Sequence, residues 1–279
     1  MEGAILPFPQ HAMTAQPLYR PTATSGAHRL HYSWSAWPHD NGKFTAAPLR
    51  LITQVAPLWK QDGLEVLEFR WTNEVVHILF AATPEVSPQL VAARAKGRLD
   101  HAFRGAGLSL PFSRKVSVRA LGENTRRDVE DYLEHQVERE RLVDPRFDAA
   151  LRELQFVNDV ADLSQPAASA HGRYWYNLHL VLVTDGRWRI REIEVLRQLR
   201  DATLKVAAKK KHLVSRLSIL PDHLHAALRP RIEESPLDVA FAYLNNLAHM
   251  VGRGPIWQDG YYVGTFGEYS THTLLDRAE

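Results

Sequence analysis

Val263-Gly264-Thr265-Phe266-Gly267-Glu268 repeats, 145 residues later, the pattern of Val118-Arg119-Ala120-Leu121-Gly122-Glu123: a short apolar strand that runs into Gly-Glu. A match at a fixed offset is the mark of an internal duplication, and it is tested by working outward from both copies. Upstream, an aromatic-rich strand from near His31 runs into His39-Asp40-Asn41-Gly42-Lys43-Phe44. Its counterpart, Tyr176 to Val183, runs into Thr184-Asp185-Gly186-Arg187-Trp188. Both read as strand then turn. Between these ends lie paired alternating segments, Leu64 to Arg70 with Val75 to Phe80, and Leu213 to Ile219 with Leu224 to Leu228. A helical period follows each pair, over Ser87 to Phe103 and over Pro236 to Val251. Pro48 to Trp59 and the longer Arg191 to Lys209 predict a helix between the first two strands of each copy. The chain is therefore read as α+β, two tandem units each built on a small antiparallel sheet.

The units divide the chain as residues 28–160 and 173–279, with a flexible arm over 1–27 and a linker over 161–172. The arm carries Pro7, Pro9, Pro17 and Pro21 without sustained periodicity, and the linker is rich in Ser, Ala and Pro. The first copy continues past Glu123 into a predicted polar helix, Thr125 to Leu142, with Asn124 as its N-cap.

Composition narrows the chemistry. Among 279 residues there is no cysteine, so disulfides, thiolate metal sites and cysteine nucleophiles are excluded, and any metal must be held by His, Asp, Glu, Gln or Asn. No run approaches the ~20 apolar residues of a membrane span and no signal peptide opens the chain, so a cytoplasmic protein with no membrane association is expected. The net charge is only +2. Lys205, Lys209, Lys210, Lys211 and Arg216 nevertheless cluster near His212. Arg114, Lys115, Arg119, Arg126 and Arg127 form a second group beside the predicted polar helix. Both groups are candidates for phosphate contacts, against the simpler reading of solvated surface charge.

The sharpest chemical signal is Leu220-Pro221-Asp222-His223-Leu224-His225-Ala226-Ala227-Leu228. Residues two apart on a strand share a face, so His223 and His225 present two imidazoles to one spot while Leu224 faces the other way. Two neutral imidazoles suit a divalent ion. Taken alone, the pair also reads as two half-buried histidines on an amphipathic strand.

Together with Ile256-Trp257-Gln258-Asp259-Gly260-Tyr261-Tyr262-Val263-Gly264-Thr265-Phe266-Gly267-Glu268, this motif resembles the single-tyrosine HUH transposases. These are the insertion-sequence enzymes that act on single-stranded DNA and their REP-associated relatives. The resemblance implies ferredoxin-like units, a dimer with sheets joined edge to edge, and a helix carrying Tyr-x-x-x-Gln. In that helix the tyrosine is the nucleophile and the glutamine completes the metal site.

Aligned on the repeat, the second copy has Arg277 at the tyrosine position and ends before the glutamine. The first copy has Tyr132-Leu133-Glu134-His135-Gln136, but Glu74 and Val76 stand where its histidines belong. The losses are complementary. Family members are implied to complete each site with the partner's tyrosine helix, so Tyr132 and Gln136 are expected to meet His223 and His225 in an intrachain pseudo-dimer, leaving a monomeric chain. The implied reaction is attack of Tyr132 on single-stranded or hairpin DNA to give a 5′-phosphotyrosine, with Mg2+ or Mn2+ as cofactor. Two alternatives remain: a domesticated, non-catalytic hairpin-binding protein on the same scaffold, and a metal-dependent hydrolase that uses the histidines without Tyr132.

Overall fold

The computed structural model describes residues 16–39, 42–44, 49–108, 112–140, 144–252 and 254–271. Outside them lie most of the expected arm, the centre of the His39–Phe44 turn, the end of the predicted polar helix and Arg277. Strands β1 (Ser25–Arg29) and β2 (His31–Pro38) lead into α1 (Leu49–Gln61), β3 (Leu64–Trp71), β4 (Val76–Ala82), α2 (Pro88–Gly105) and β5 (Phe112–Leu121). Then come α3 (Arg126–Glu134), α4 (Gln136–Arg139), α5 (Pro145–Leu154) and the two-residue strands β6 (Phe156–Val157) and β7 (Ala167–Ala168). The second copy contains β8 (Gly172–Trp175), β9 (Asn177–Val183), α6 (Ile193–Lys210), β10 (Leu213–Ile219), β11 (His223–Arg229), α7 (Pro236–Val251) and β12 (Gly260–Phe266).

The strands form two sheets, ordered β3-β4-β2-β5-β8-β7 and β1-β12-β9-β11-β10-β6. Each contains the four antiparallel strands of one copy in the ferredoxin-like order, second-third-first-fourth. The fold is thus two tandem ferredoxin-like units in an intrachain pseudo-dimer. Alternation along the strands explains the layers. Tyr32, Trp34 and Ala36 on β2 and Leu178, Leu180 and Leu182 on β9 are buried towards the helices, and the residues between them face the other side. The helices are bounded by local chemistry. Ser87 caps α2 ahead of Pro88, and Ser235 caps α7 through a capping box with Asp238.

The copies exchange their leading strands. β1 of the first adds in parallel to β12 of the second, and β8 of the second adds in parallel to β5 of the first. Part of the segment expected to be an arm is therefore built into the structure. Tyr19 is also buried there, where its hydroxyl accepts from the Trp257 amide at 2.7 Å and donates to the Trp257 carbonyl at 3.0 Å.

The two sheets are not joined edge to edge as one sheet. The chains leaving β5 and β12 instead cross in parallel, through Gly122 with Ser270 and Thr125 with Gly267, two bridges that are equivalent under the repeat. The hydrogen bonds are equivalent as well, Arg126 N to Gly267 O at 2.6 Å and Thr271 N to Gly122 O at 2.8 Å. Thr265 Oγ1 accepts from His31 N at 2.8 Å and donates to Leu121 O at 2.5 Å, tying both copies at this point.

The crossing decides where the polar helix goes. α3 leaves the first copy and packs on β10 and β11 of the second. Val129 and Leu133 are buried there with Leu163, Ala227 and Phe266, and Tyr132 packs partly buried against them. The helix differs from expectation in two ways. Its N-cap is Thr125, which forms a capping box with Asp128, because Asn124 lies one residue too early for that geometry. It also breaks at His135, and Gln136 begins the separate turn α4.

Strand register also corrects the repeat alignment. β3 and β10 carry β-bulges at corresponding places, Val66/Glu68 and Val214/Arg216. Matching the bulges puts Val75 and His77, not Glu74 and Val76, at the places of His223 and His225. Aligning the strands by their first residues, Leu64 and Leu213, runs one residue off. The first copy therefore keeps one histidine of the pair, and its ring lies between the hydroxyls of Ser35 (2.7 Å) and Ser33 (3.3 Å).

Candidate active site

β11 enters from the Pro221-Asp222 turn and turns His223 and His225 to the face covered by α3. Their rings stand nearly perpendicular, with centroids 4.9 Å apart. Each has one ring nitrogen engaged from behind. His223 Nδ1 donates to Asp222 Oδ1 at 2.6 Å, and His225 Nδ1 lies 2.9 Å from Nε2 of His179 on the adjacent strand β9. In both cases Nε2 is left as the nitrogen that can serve a cation, and a partner on the far nitrogen is what orients a metal-binding imidazole.

Electrostatics keep the centre neutral where it is deepest. Burial, reinforced by the neighbouring His179 and His223, pushes the His225 pKa well below its ordinary value. Burial alone lowers that of His179 to about 4. Both are neutral bases at pH 7, the form a metal requires. Burial pushes the Asp222 carboxyl upward, but the His223 hydrogen bond and the nearby Arg187 and Arg189 prevail and hold it below the ordinary carboxylate value.

Tyr132 lies over this centre. Its ring is 5.6 Å from His225 and 6.2 Å from His179, edge-on to both, and the Arg139 guanidinium sits 4.6 Å over its face. Gln136 is buried, and its amide nitrogen donates to the Tyr132 main-chain carbonyl at 3.0 Å, so its amide oxygen is the atom that could turn to a cation. A further carboxylate arrives from the end of α4. Ligand atoms of Glu140, Asp222 and His223 all lie within 4.8 Å of one another. Imidazole nitrogen together with hard carboxylate oxygen fits a divalent ion such as Mg2+ or Mn2+, so the residues present suit the implied cofactor.

His179 and Glu140 were missed in the sequence. The available signal for His179 was its place opposite Leu178 and Leu180 on an alternating strand. Glu140 gave none, because the break at His135 hides which way it faces.

The expected DNA contacts divide. Lys205, Lys209 and Lys211 on and beyond the end of α6, Arg114 and Lys115 on β5, and Arg127 on α3 are exposed. Lys210 pairs with Glu234 at 3.4 Å, and Arg119 lies 3.4 Å over the Trp175 ring. Arg126 joins Glu130 and Glu268. Arg216 departs furthest from expectation. Only 12% of its side chain is exposed, and it ties Glu134 of α3 to β10 and to Asp159, which makes it a clamp for the tyrosine helix.

Among the described residues, no helix is long and apolar enough to cross a membrane. No curated protein matches the chain. A solved structure described as a candidate transposase from Deinococcus radiodurans R1 is 21% identical. The match covers 37% of this chain and 85% of that one, with a TM-score of 0.31. Residues 173–276 match the family described as transposase, IS200-like. That segment contains β8 to β12 with the His223–His225 pair, and it is the part of the chain that is similar to the IS200-like transposases.

Proposed function

We propose that the protein nicks and rejoins single-stranded DNA at one composite centre, using a divalent metal and a 5′-phosphotyrosine intermediate. The observation that carries this reading is the contact of Tyr132, from the first copy, with the histidine face of the second. A binding protein on the same scaffold would have no use for a phenol at that place.

The chain's own residues supply the following roles. The Tyr132 oxygen attacks phosphorus while the bond from phosphorus to the 3′ oxygen breaks. The phenol gives up its proton, and the departing 3′ oxygen takes one to become a hydroxyl. A phenol with an ordinary pKa of about 10 is a weak nucleophile at neutral pH. Arg139 lies over the ring, and the neutral His179 and His225 lie edge-on beside it. His223 and His225, with Glu140 and Asp222 clustered beside His223, would hold the metal, and the Gln136 amide oxygen is the atom that could turn to it. When bound, the metal neutralises charge on the non-bridging phosphate oxygens and orients the phosphate. Rejoining is the reverse attack by a 3′-hydroxyl on the phosphotyrosine.

The test is a labelled single-stranded oligonucleotide containing a hairpin, incubated with protein and Mn2+ and resolved under denaturing conditions. A protein-linked label that disappears in Tyr132→Phe is expected. Free ends with no linked protein, unchanged in Tyr132→Phe, would point to a hydrolase. Binding without cleavage would point to the non-catalytic hairpin-binding alternative.

A further inference from the structure

We infer that the turn Asp185–Arg191 is a single-strand clamp in which Trp188 stacks one unpaired base and Arg187, Arg189 and Arg191 hold the flanking phosphates. The inference deepens the proposed function and rests on its choice of single-stranded DNA as the substrate.

The sequence of the turn alternates cation and apolar residue, Arg187-Trp188-Arg189-Ile190-Arg191. Ile190 is buried and anchors the turn, whereas Trp188 is 52% exposed. An indole left in solvent between three guanidinium groups is the combination that binds a strand without regard to sequence, by stacking on the ring and pairing with the backbone. Trp188, Arg189, Arg191 and Glu192 also line a recess of about 270 Å³, wide enough for a flat heterocycle. Asp185 and Glu192 bound the basic run on either side.

The turn is held rather than loose. Gly186 and Arg187 both take left-handed backbone angles, φ 56° and 53°, a conformation that a residue with a side chain adopts only where its surroundings enforce it. Thr184 Oγ1 donates to the Trp188 carbonyl at 2.6 Å and lies 3.1 Å from the Asp222 carbonyl, to which the Thr184 amide donates at 2.8 Å. Ile190 N donates to the Pro221 carbonyl at 2.9 Å. The turn is therefore fastened to the segment that carries Asp222 and His223.

Its guanidinium groups also reach the catalytic face. Arg187 lies 3.3 Å from Asp222, and Arg189 lies 3.3 Å from Glu140. Both remain mostly exposed, 70% and 58%, so each can exchange a carboxylate for a phosphate at the edge of the centre. The two guanidinium groups thus join the turn that carries Trp188 to the carboxylates beside the histidine pair.

Binding separates this inference from the cleavage reading. A fluorescein-labelled single-stranded oligonucleotide is titrated with Tyr132→Phe protein in EDTA, where no cleavage occurs, and anisotropy is followed. Trp188→Ala in that background is expected to weaken binding about tenfold or more, and Trp188→Tyr to restore most of it. Arg187→Ala is expected to reduce the salt dependence by about one phosphate contact. Binding of the same sequence as a duplex should not respond to Trp188→Ala. Equal single-strand affinity of the parent and Trp188→Ala overturns the inference while leaving the composite centre standing, as does an equal loss on duplex. If the parent binds no single strand at all, the substrate class fails and the clamp falls with it.

Discussion

Tyr132 and His225 face each other edge to ring with centroids 5.6 Å apart, although they come from different copies of the duplicated unit. The crossing of the chains after β5 and β12 makes this contact, since it sends α3 over the sheet of the other copy.

Because both halves of the centre lie in one chain, two damaged molecules should not repair each other. A mixture of Tyr132→Phe and His225→Ala proteins is expected to form no covalent DNA adduct, like either variant alone, while the unaltered protein does. Recovery of adduct in the mixture would mean that the tyrosine helix is exchanged between molecules and that the intrachain pairing is not the working one.

The outline of the fold was legible because duplication leaves two independent readings of each element. α7 was readable to the residue, and the Tyr132 helix was located by its offset from the end of the second copy. The strand exchange was not legible: β1 and β8 are short parallel additions to a sheet edge, and their pairing depends on the pseudo-twofold arrangement rather than on any periodic signal. Unequal strand starts hid His77: β3 runs one residue further ahead of the shared bulge than β10 does, so aligning on Leu64 and Leu213 runs one residue off. At the centre, His223 and His225 were readable from alternation, but Glu140 follows a helix break and Arg216 looks in sequence like any other surface cation.

His179 acts through His225. For His225 Nε2 to present a lone pair to a cation, its Nδ1 must carry the proton and donate to His179 Nε2, 2.9 Å away. His179→Phe keeps a flat ring against Tyr132 and Tyr262 but removes that acceptor. Affinity for Mn2+, followed by its electron paramagnetic resonance signal, is expected to fall about 10- to 100-fold with circular dichroism unchanged. Unchanged Mn2+ affinity would make His179 a packing residue only.

The crossing has no room for side chains. A Cβ on Gly122 would strike the Thr265 carbonyl, and one on Gly267 would strike the Ala120 carbonyl. Both obstacles are backbone and cannot rotate away. Gly122→Ala and Gly267→Ala should each destabilise the protein by about 1–3 kcal/mol or more, by analogy with overpacked cores. Because α3 starts at Arg126, four residues after Gly122, that variant should also lose adduct formation at temperatures where most of the protein remains folded. Thermal denaturation followed by circular dichroism, alongside the adduct assay, checks both effects. Wild-type stability in both variants would show that the crossing is looser than described.

His212 supplies a pH dependence of stability away from the His223–His225 face. Its side chain is entirely out of solvent, with Nδ1 3.1 Å from the Tyr243 hydroxyl and Nε2 2.8 Å from Glu234 Oε2. Burial lowers its pKa. Glu234 opposes that, Lys210 and Arg231 reinforce it, and the balance is a depressed value. A histidine depressed in the folded state binds fewer protons than it does unfolded, where it titrates near 6.5, so stability rises with pH through this window. Acidification from pH 7 to 5 should therefore erode unfolding free energy, by at most about 1.4 kcal/mol per pH unit for this one group. His212→Gln carries an amide that can meet the same two partners without titrating in this range. Urea denaturation at pH 5, 6 and 7 should show a shallower loss on acidification in that variant than in the unaltered protein. Parallel pH profiles would mean that Glu234 offsets burial and His212 titrates alike folded and unfolded, and a steeper loss in His212→Gln would mean that Glu234 holds His212 charged in the folded state.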